Sequence, residues 1–311
     1  MKKALSTLLV LLALFAAGCA DRQSGPPVPE TPADKSDFPA KIKAANGTVE
    51  IKSRPKKIVS LSATATEMLF AIDAGEQVVA VDSTSNFPAE APKTDLSAFT
   101  PNLEAIAGYE PDLVIASDDI QDLVAGLGRL GFPTLLLPAA KKLEDTYSQI
   151  KSLGAATGHL DDAEQLTSSM KEEISELSAR VPEPETPLTY FHELDNTLYS
   201  VTSATFAGEV YALAGLRNIA DEVPDQAGGY PQLSNEFIID ANPDLIFLAD
   251  TKCCGQSLET VRARPGWGGI KAVKASRVIA LDDDVASRWG PRVVEFLRTV
   301  VEAVEPALQA A

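Results

Sequence analysis

The sequence predicts an α/β fold. Two lobes of parallel strands covered by helices are joined by one long helix, with a ligand cleft between them. Three observations predict it. Short apolar runs alternate with helical stretches at a spacing that demands crossover connections, and so parallel strands. From Leu143 to Arg180 the strand signals cease, and apolar residues recur at helical spacing instead. Finally, Ile106–Ala116 is echoed by Ile239–Phe247, each a short helix followed by Pro-Asp-Leu and a buried strand.

Residues 1–18 read as an export signal. Lys2 and Lys3 precede an apolar run, Ala4 to Phe15, too short to span a bilayer, and Ala16, Ala17 and Gly18 are small. Leu14-Phe15-Ala16-Ala17-Gly18-Cys19 resembles a bacterial lipobox, in which the cysteine becomes a lipidated N-terminus. The alternative is an ordinary signal peptide followed by an incidental cysteine. More than one acyl chain on Cys19 suffices for stable anchoring, on the extracytoplasmic face of the cell membrane. Residues 19–47 read as this cysteine plus a flexible tether, rich in Pro, Ser, Asp and Lys. About 265 residues follow, enough for two lobes. Their expected bounds are 48–142 and 183–311, with a helical linking segment at 143–182.

In the first lobe, Ile58-Val59-Ser60-Leu61 runs into a Ser/Thr turn and a helix beginning near Thr64, with Thr64-x-x-Glu67 as a capping box. In open α/β sheets, ligands gather beyond such carboxyl ends of strands. Further strands are expected at Val78–Val81, Leu113–Ala116 and Thr134–Leu137, with helices at Leu103–Ile106 and Leu123–Leu130. The linking helix starts at Asp161 or Asp162, continues through Leu166, Met170, Ile174 and Leu177, and is ended by Pro182, Pro184 and Pro187. At roughly 20 residues it is about 30 Å long, enough to pass from one lobe to the other. The second lobe is expected to hold strands at Leu188–His192, Tyr199–Val201, Pro243–Leu248 and Val278–Leu281. Its helices fall at Ala207–Ala214, Phe237–Ala241 and Pro291–Val304.

A formal net charge of −17 excludes a nucleic-acid partner, because phosphate binding needs the opposite field. Cys253 and Cys254 are adjacent, which is a poor metal-site spacing, and an oxidised pair is the plainer expectation. With only His159 and His192, a His-rich transition-metal site is disfavoured. Gly-x-Ser-x-Gly, Gly-x-x-x-x-Gly-Lys and His-Glu-x-x-His are all missing, so no enzyme is expected.

Taken in order, the lipobox, Ser60-Leu61-Ser62-Ala63-Thr64-Ala65-Thr66-Glu67, the paired Pro-Asp-Leu segments and Pro231-Gln232-Leu233-Ser234-Asn235-Glu236 make the chain resemble substrate-binding lipoproteins of ABC importers. The resemblance spans roughly residues 54–304. It is to the class with a rigid helical backbone that carries cobalamin, ferric siderophores or haem, the cobalamin binders above all. It implies two Rossmann-like lobes joined by one long rigid helix. It also implies a permease with its ATPase as partner, a metal chelate as cargo, a monomer, and no cofactor or metal of its own.

Glu67 and Glu236 match the family's two glutamates that dock onto permease arginines. Without the resemblance, Glu67 completes a capping box and Glu236 favours a helix N-terminus electrostatically. Trp289, Phe87 and Phe99 fall near positions that face the cleft in that family; it often has tyrosine or tryptophan where this chain has Thr84 and Phe99. The other reading of Phe87 and Phe99 is core packing. Arg288 is a candidate on chemistry, since a guanidinium in a cleft meets carboxylate or phosphate groups with a forked geometry. Tyr230 and His192 are further cleft candidates, although a lone histidine after a strand is more often structural. The expected function is capture of cobalamin or a related chelate for a permease, with a ferric siderophore or haem as the alternative cargo. A surface lipoprotein without a transport role is the remaining reading.

Overall fold

A computed structural model describes residues 38–182, 184–223 and 228–309. Cys19 and the leader lie outside the described residues. The described part begins with a hairpin, β1 (Ala40–Ala44) and β2 (Gly47–Ile51), where the sequence suggests tether as far as residue 47. The missed signal is Asn46-Gly47 between alternating apolar residues: Ala45 and Asn46 make the turn, and Gly47 opens β2 at a positive φ of 108°. Ile42 and Ile51 enter the core, and that burial holds the hairpin to the body.

The first sheet is β3 (Ile58–Leu61), β4 (Val78–Val81), β5 (Leu113–Ala116) and β6 (Thr134–Leu136), all parallel, in the order β4-β3-β5-β6. Its crossovers include α1 (Ala63–Ala71), α2 (Leu103–Ala107) and α3 (Leu123–Arg129). Every residue of β3 and of β5 is buried, as expected of strands covered by helices on both faces. Two helices follow, α4 (Leu143–Thr157) and the 20-residue α5 (Leu160–Ala179). On α5, Ala163, Thr167, Met170, Ile174 and Leu177 form one buried stripe at helical spacing, so the helix is held by packing along its length.

The second sheet is β7 (Thr189–Glu193), β8 (Arg217–Asn218), β9 (Leu245–Leu248) and β10 (Val278–Ala280), again parallel, in the order β10-β9-β7-β8. Between its strands run α6 (Phe206–Leu213), α7 (Asn235–Ala241), α8 (Thr251–Cys254), α9 (Leu258–Arg262) and α10 (Lys271–Lys274). The chain closes with α11 (Asp283–Ser287) and α12 (Val293–Gln309). Tyr199–Val201 is not a strand; only a single bridge forms there, between Tyr199 and Gln232.

The two sheets repeat one topology. In each, the second strand in sequence flanks the first on one side, and the third and fourth lie on the other. The Pro-Asp-Leu repeat has a matching physical role in both. Asp112 accepts hydrogen bonds from the amides of Lys56 and Lys57 (2.8 and 3.0 Å), tying β5 to the start of β3. Asp244 accepts from the amide and hydroxyl of Thr189 (3.0 and 2.9 Å), tying β9 to the start of β7. One continuous apolar cluster includes α1, α4, α5, α6 and α12 and draws on both sheets, so the central helices are core to both lobes. Two smaller clusters fill the outer faces of the sheets.

Candidate functional site

A cavity of about 430 Å³ opens at the carboxyl ends of the first sheet. Ser62, Asp82, Ser117 and Ala139 line it, each just beyond the end of one of the four strands. Its other wall is Asp284, Ser287, Arg288 and Trp289, from the junction of α11 and α12 in the second lobe. This is where an open parallel sheet offers a ligand site, at the point where strand order reverses.

The predicted residues divide at this cavity. Phe99, 68 % exposed, and Trp289 line it together with Arg288. Trp289 is fixed from α4: its indole N–H donates to Gln149 (3.1 Å), and the Thr146 hydroxyl donates to its carbonyl (2.8 Å). Phe87 and Tyr230 are each 44 % exposed and stand outside the lining, so Phe87 and Phe99 are not core residues. The Phe87 ring lies under Arg292, whose guanidinium carbon is 4.3 Å from the ring centroid.

Glu67 is the residue whose environment differs most from expectation. The helix cap is Ser62, which accepts from the Ala65 amide, so Thr64 and Glu67 do not form a capping box. Glu67 instead points across to the second lobe, with its side chain 2 % exposed. It accepts from Arg288 Nη1 (2.7 Å) and from Arg292 Nε and Nη2 (2.9 and 2.5 Å). The Nη2 of Arg288 donates to the Thr84 carbonyl, Asn86 and Asp284 (3.0, 2.9 and 2.9 Å). Arg288 therefore lines the cavity while most of its hydrogen-bonding capacity is spent within the protein. A network this satisfied fixes the spacing of the two walls. Glu236, by contrast, is exposed in the first turn of α7.

At the matching position of the second sheet there is a plug of charge. Glu193, fully buried at the end of β7, takes Arg264 in a two-pronged ion pair (2.6 and 2.5 Å). Asp250, buried just past β9, faces Glu193, and neither of its oxygens meets a hydrogen-bond donor. Burial first, then the neighbouring Glu193 carboxylate, push Asp250 up to about 7 against the pull of Arg264; Asp283 adds to the rise.

Asp250 is thus neutral in the folded protein at pH values where it is ionised in the unfolded chain. Its stabilising contribution is complete below about pH 4, is lost as pH rises to about 7, and is flat beyond. His192 slopes the other way. It is fully buried, hydrogen-bonded to the Tyr211 hydroxyl (2.7 Å), and pushed down to about 3 by burial, so its contribution is lost as pH falls below its ordinary 6.5. It is a core residue and not a cleft ligand. Asp250→Asn is expected to remove the Asp250 slope. In urea titrations from pH 4 to 8, the variant should gain stability relative to the parent as pH rises, and a constant difference would refute the assignment.

Among the described residues, no group of three or more His, Cys, Asp or Glu side chains could hold a metal ion, and no helix is long and apolar enough to cross a membrane. Cys253 and Cys254 are free thiols on α8, where an oxidised pair is the sequence expectation. His159 precedes α5 and contacts Asp162 and Arg54 (3.1 and 2.6 Å). The sequence gives no warning of the Glu67–Arg288–Arg292 cluster, because Glu67 is separated from both arginines by more than two hundred residues.

Comparison with known proteins places this architecture. Over 317 residues the chain is 31 % identical to an ABC transporter substrate-binding lipoprotein of Bacillus subtilis (strain 168), covering 96 % of this chain and 95 % of that one. It is 26 % identical over 311 residues to a cobalamin-binding protein of Halobacterium salinarum, covering 95 % and 83 %. A possible iron-binding, periplasmic solute-binding protein of Staphylococcus epidermidis superposes with a TM-score of 0.70 at 26 % identity, covering 81 % of this chain and 100 % of that one. Residues 58–285 match the family described as periplasmic binding protein, and the chain belongs to that family.

Proposed function

We propose that the protein captures cobalamin or a related metal chelate outside the cytoplasm and delivers it to the permease and ATPase of an ABC importer. The observation that carries this reading is the cavity between the lobes, with Phe99 and Trp289 as aromatic surfaces and Arg288 at its wall. A planar, partly anionic chelate suits such a lining, with ring faces against aromatics and acidic groups towards guanidinium. The Halobacterium relative, named for cobalamin, supports the cargo. The Staphylococcus structure, described as possibly iron-binding, supports the second reading, a ferric siderophore or haem.

In this reading Cys19 anchors a monomer by its lipid. Residues 48–142 and 183–311 act as lobes about the segment 143–182, and Tyr230 and Phe87 meet the bulkier parts of the cargo. Glu236 is the accessible docking carboxylate. Glu67 joins it only if Arg288 and Arg292 yield it to a partner.

The test is a titration of the protein with cyanocobalamin, haem and ferric siderophores, followed by ligand absorbance and tryptophan fluorescence. Trp289→Ala is expected to weaken the true ligand by about 2 kcal/mol, roughly thirtyfold in Kd. Glu236→Lys should leave that Kd unchanged and depress uptake in cells. If none of these chelates binds, the reading fails.

A further inference from the structure

The second lobe carries a pair of thiols that the proposed transport role does not use. The short helix α8 ends in Cys253, exposed, and Cys254, half-buried. The first turn of α8 is held by a residue from another element. The Asp283 carboxylate accepts from the amides of Thr251, Lys252 and Cys253 (3.0, 2.9 and 3.1 Å) and from the Thr251 hydroxyl (2.8 Å). The same turn reaches the cavity wall. Lys252 Nζ donates to Asp282 and Asp284 (2.8 and 2.9 Å), and Asp284 holds Arg288.

We propose that Cys253 and Cys254 are a reversible redox site, closed to a disulfide by exchange with a small-molecule disulfide, and that closure unwinds α8 from Asp283. The neighbouring Cys254 thiol first, then burial and the charges of Asp283 and Asp250, push the Cys253 thiol up to about 12. One of the two sulfurs loses its proton and attacks the small disulfide, releasing one thiol and leaving a mixed disulfide. The neighbouring cysteine sulfur then loses its proton and attacks the protein sulfur of that mixed disulfide, releasing the second thiol. Two protein S–H groups are consumed, one S–S bond forms, and the small disulfide takes up the two electrons.

Closure and the helix exclude each other. Adjacent residues on a helix project about 100° apart and do not face one another. Their Cα atoms are about 3.8 Å apart across a trans peptide, against roughly 4.4–6.8 Å in an ordinary disulfide. The bond therefore forms only if the backbone at 253–254 leaves the helical conformation, and a bond so constrained is readily reduced again. Moving that turn takes Lys252 away from Asp284, next to Arg288.

The experiment treats the full chain with oxidised glutathione, then alkylates it and digests it with trypsin, which cuts after Lys252 and Arg262. The peptide 253–262 is expected to be lighter by two hydrogens, with no alkyl group, and to revert with dithiothreitol. Cys253→Ser and Cys254→Ser should each trap a single glutathione adduct instead. Hydrogen exchange at the amides of 251–253 should accelerate at least tenfold in the oxidised form. Asp283→Asn, which weakens the cap, should raise the oxidised fraction severalfold at a fixed glutathione ratio. Two glutathione adducts, or two alkylated thiols, on the parent peptide would overturn the site. An internal disulfide with unchanged exchange at 251–253 would overturn the unwinding.

Discussion

Glu67→Ala is expected to lower the free energy of unfolding by ~3–5 kcal/mol, the usual cost of removing one member of a buried ion pair. The carboxylate is nearly inaccessible, and both its oxygens are occupied by arginines from the other lobe. Its removal leaves Arg292 with its stacking on Phe87 and without that carboxylate, and it takes one of four acceptors from Arg288. Urea unfolding followed by far-ultraviolet circular dichroism measures the loss. Glu67→Gln should cost less, because an amide oxygen still accepts. A loss below about 1 kcal/mol for Glu67→Ala would place the cluster with surface ion pairs.

Arg264→Ala should be comparably damaging, by ~3–5 kcal/mol, for a different reason. Glu193 has no exposure, and its neighbour Asp250 is a second acid. Without Arg264, an ionised Glu193 has no cation in its pocket, and the guanidinium that packs 4.5 Å from the Trp267 ring centroid is lost as well. Arg264→Met keeps a long side chain against Trp267 without the charge, and urea unfolding of both variants separates the two contributions. An Arg264→Met variant that costs almost nothing would mean that packing on Trp267, and not charge, is what Arg264 supplies.

The parts of the fold that were legible in the sequence are those written in local pattern. β5 and β9 are uniformly apolar, and β3 nearly so, because both faces are covered, and the stripe on α5 runs over about four turns. The repeat was visible because the same aspartate performs the same tie in both lobes. What was missed depends on partners distant in sequence. Short α8, α9 and α10 have little propensity of their own, and α8 exists on the strength of Asp283. For the site, residue types near the cleft could be named from the sequence, and Phe99, Arg288 and Trp289 do line it. That Glu67 faces inward could not be read, since the spacing to Glu67 fits a capping box equally well.

The ion cluster also has a place in the order of assembly. Glu67 and Arg292 are 225 positions apart, so their pairing closes nearly the whole described chain into one loop. As a chain is made from its N-terminus, the first sheet can form long before the residues that neutralise its buried acid exist. Closing so long a loop early is costly, so the cluster is expected to form after the folding transition state. Weakening it should leave the folding rate nearly unchanged and speed unfolding, so these three side chains act chiefly on the lifetime of the finished molecule.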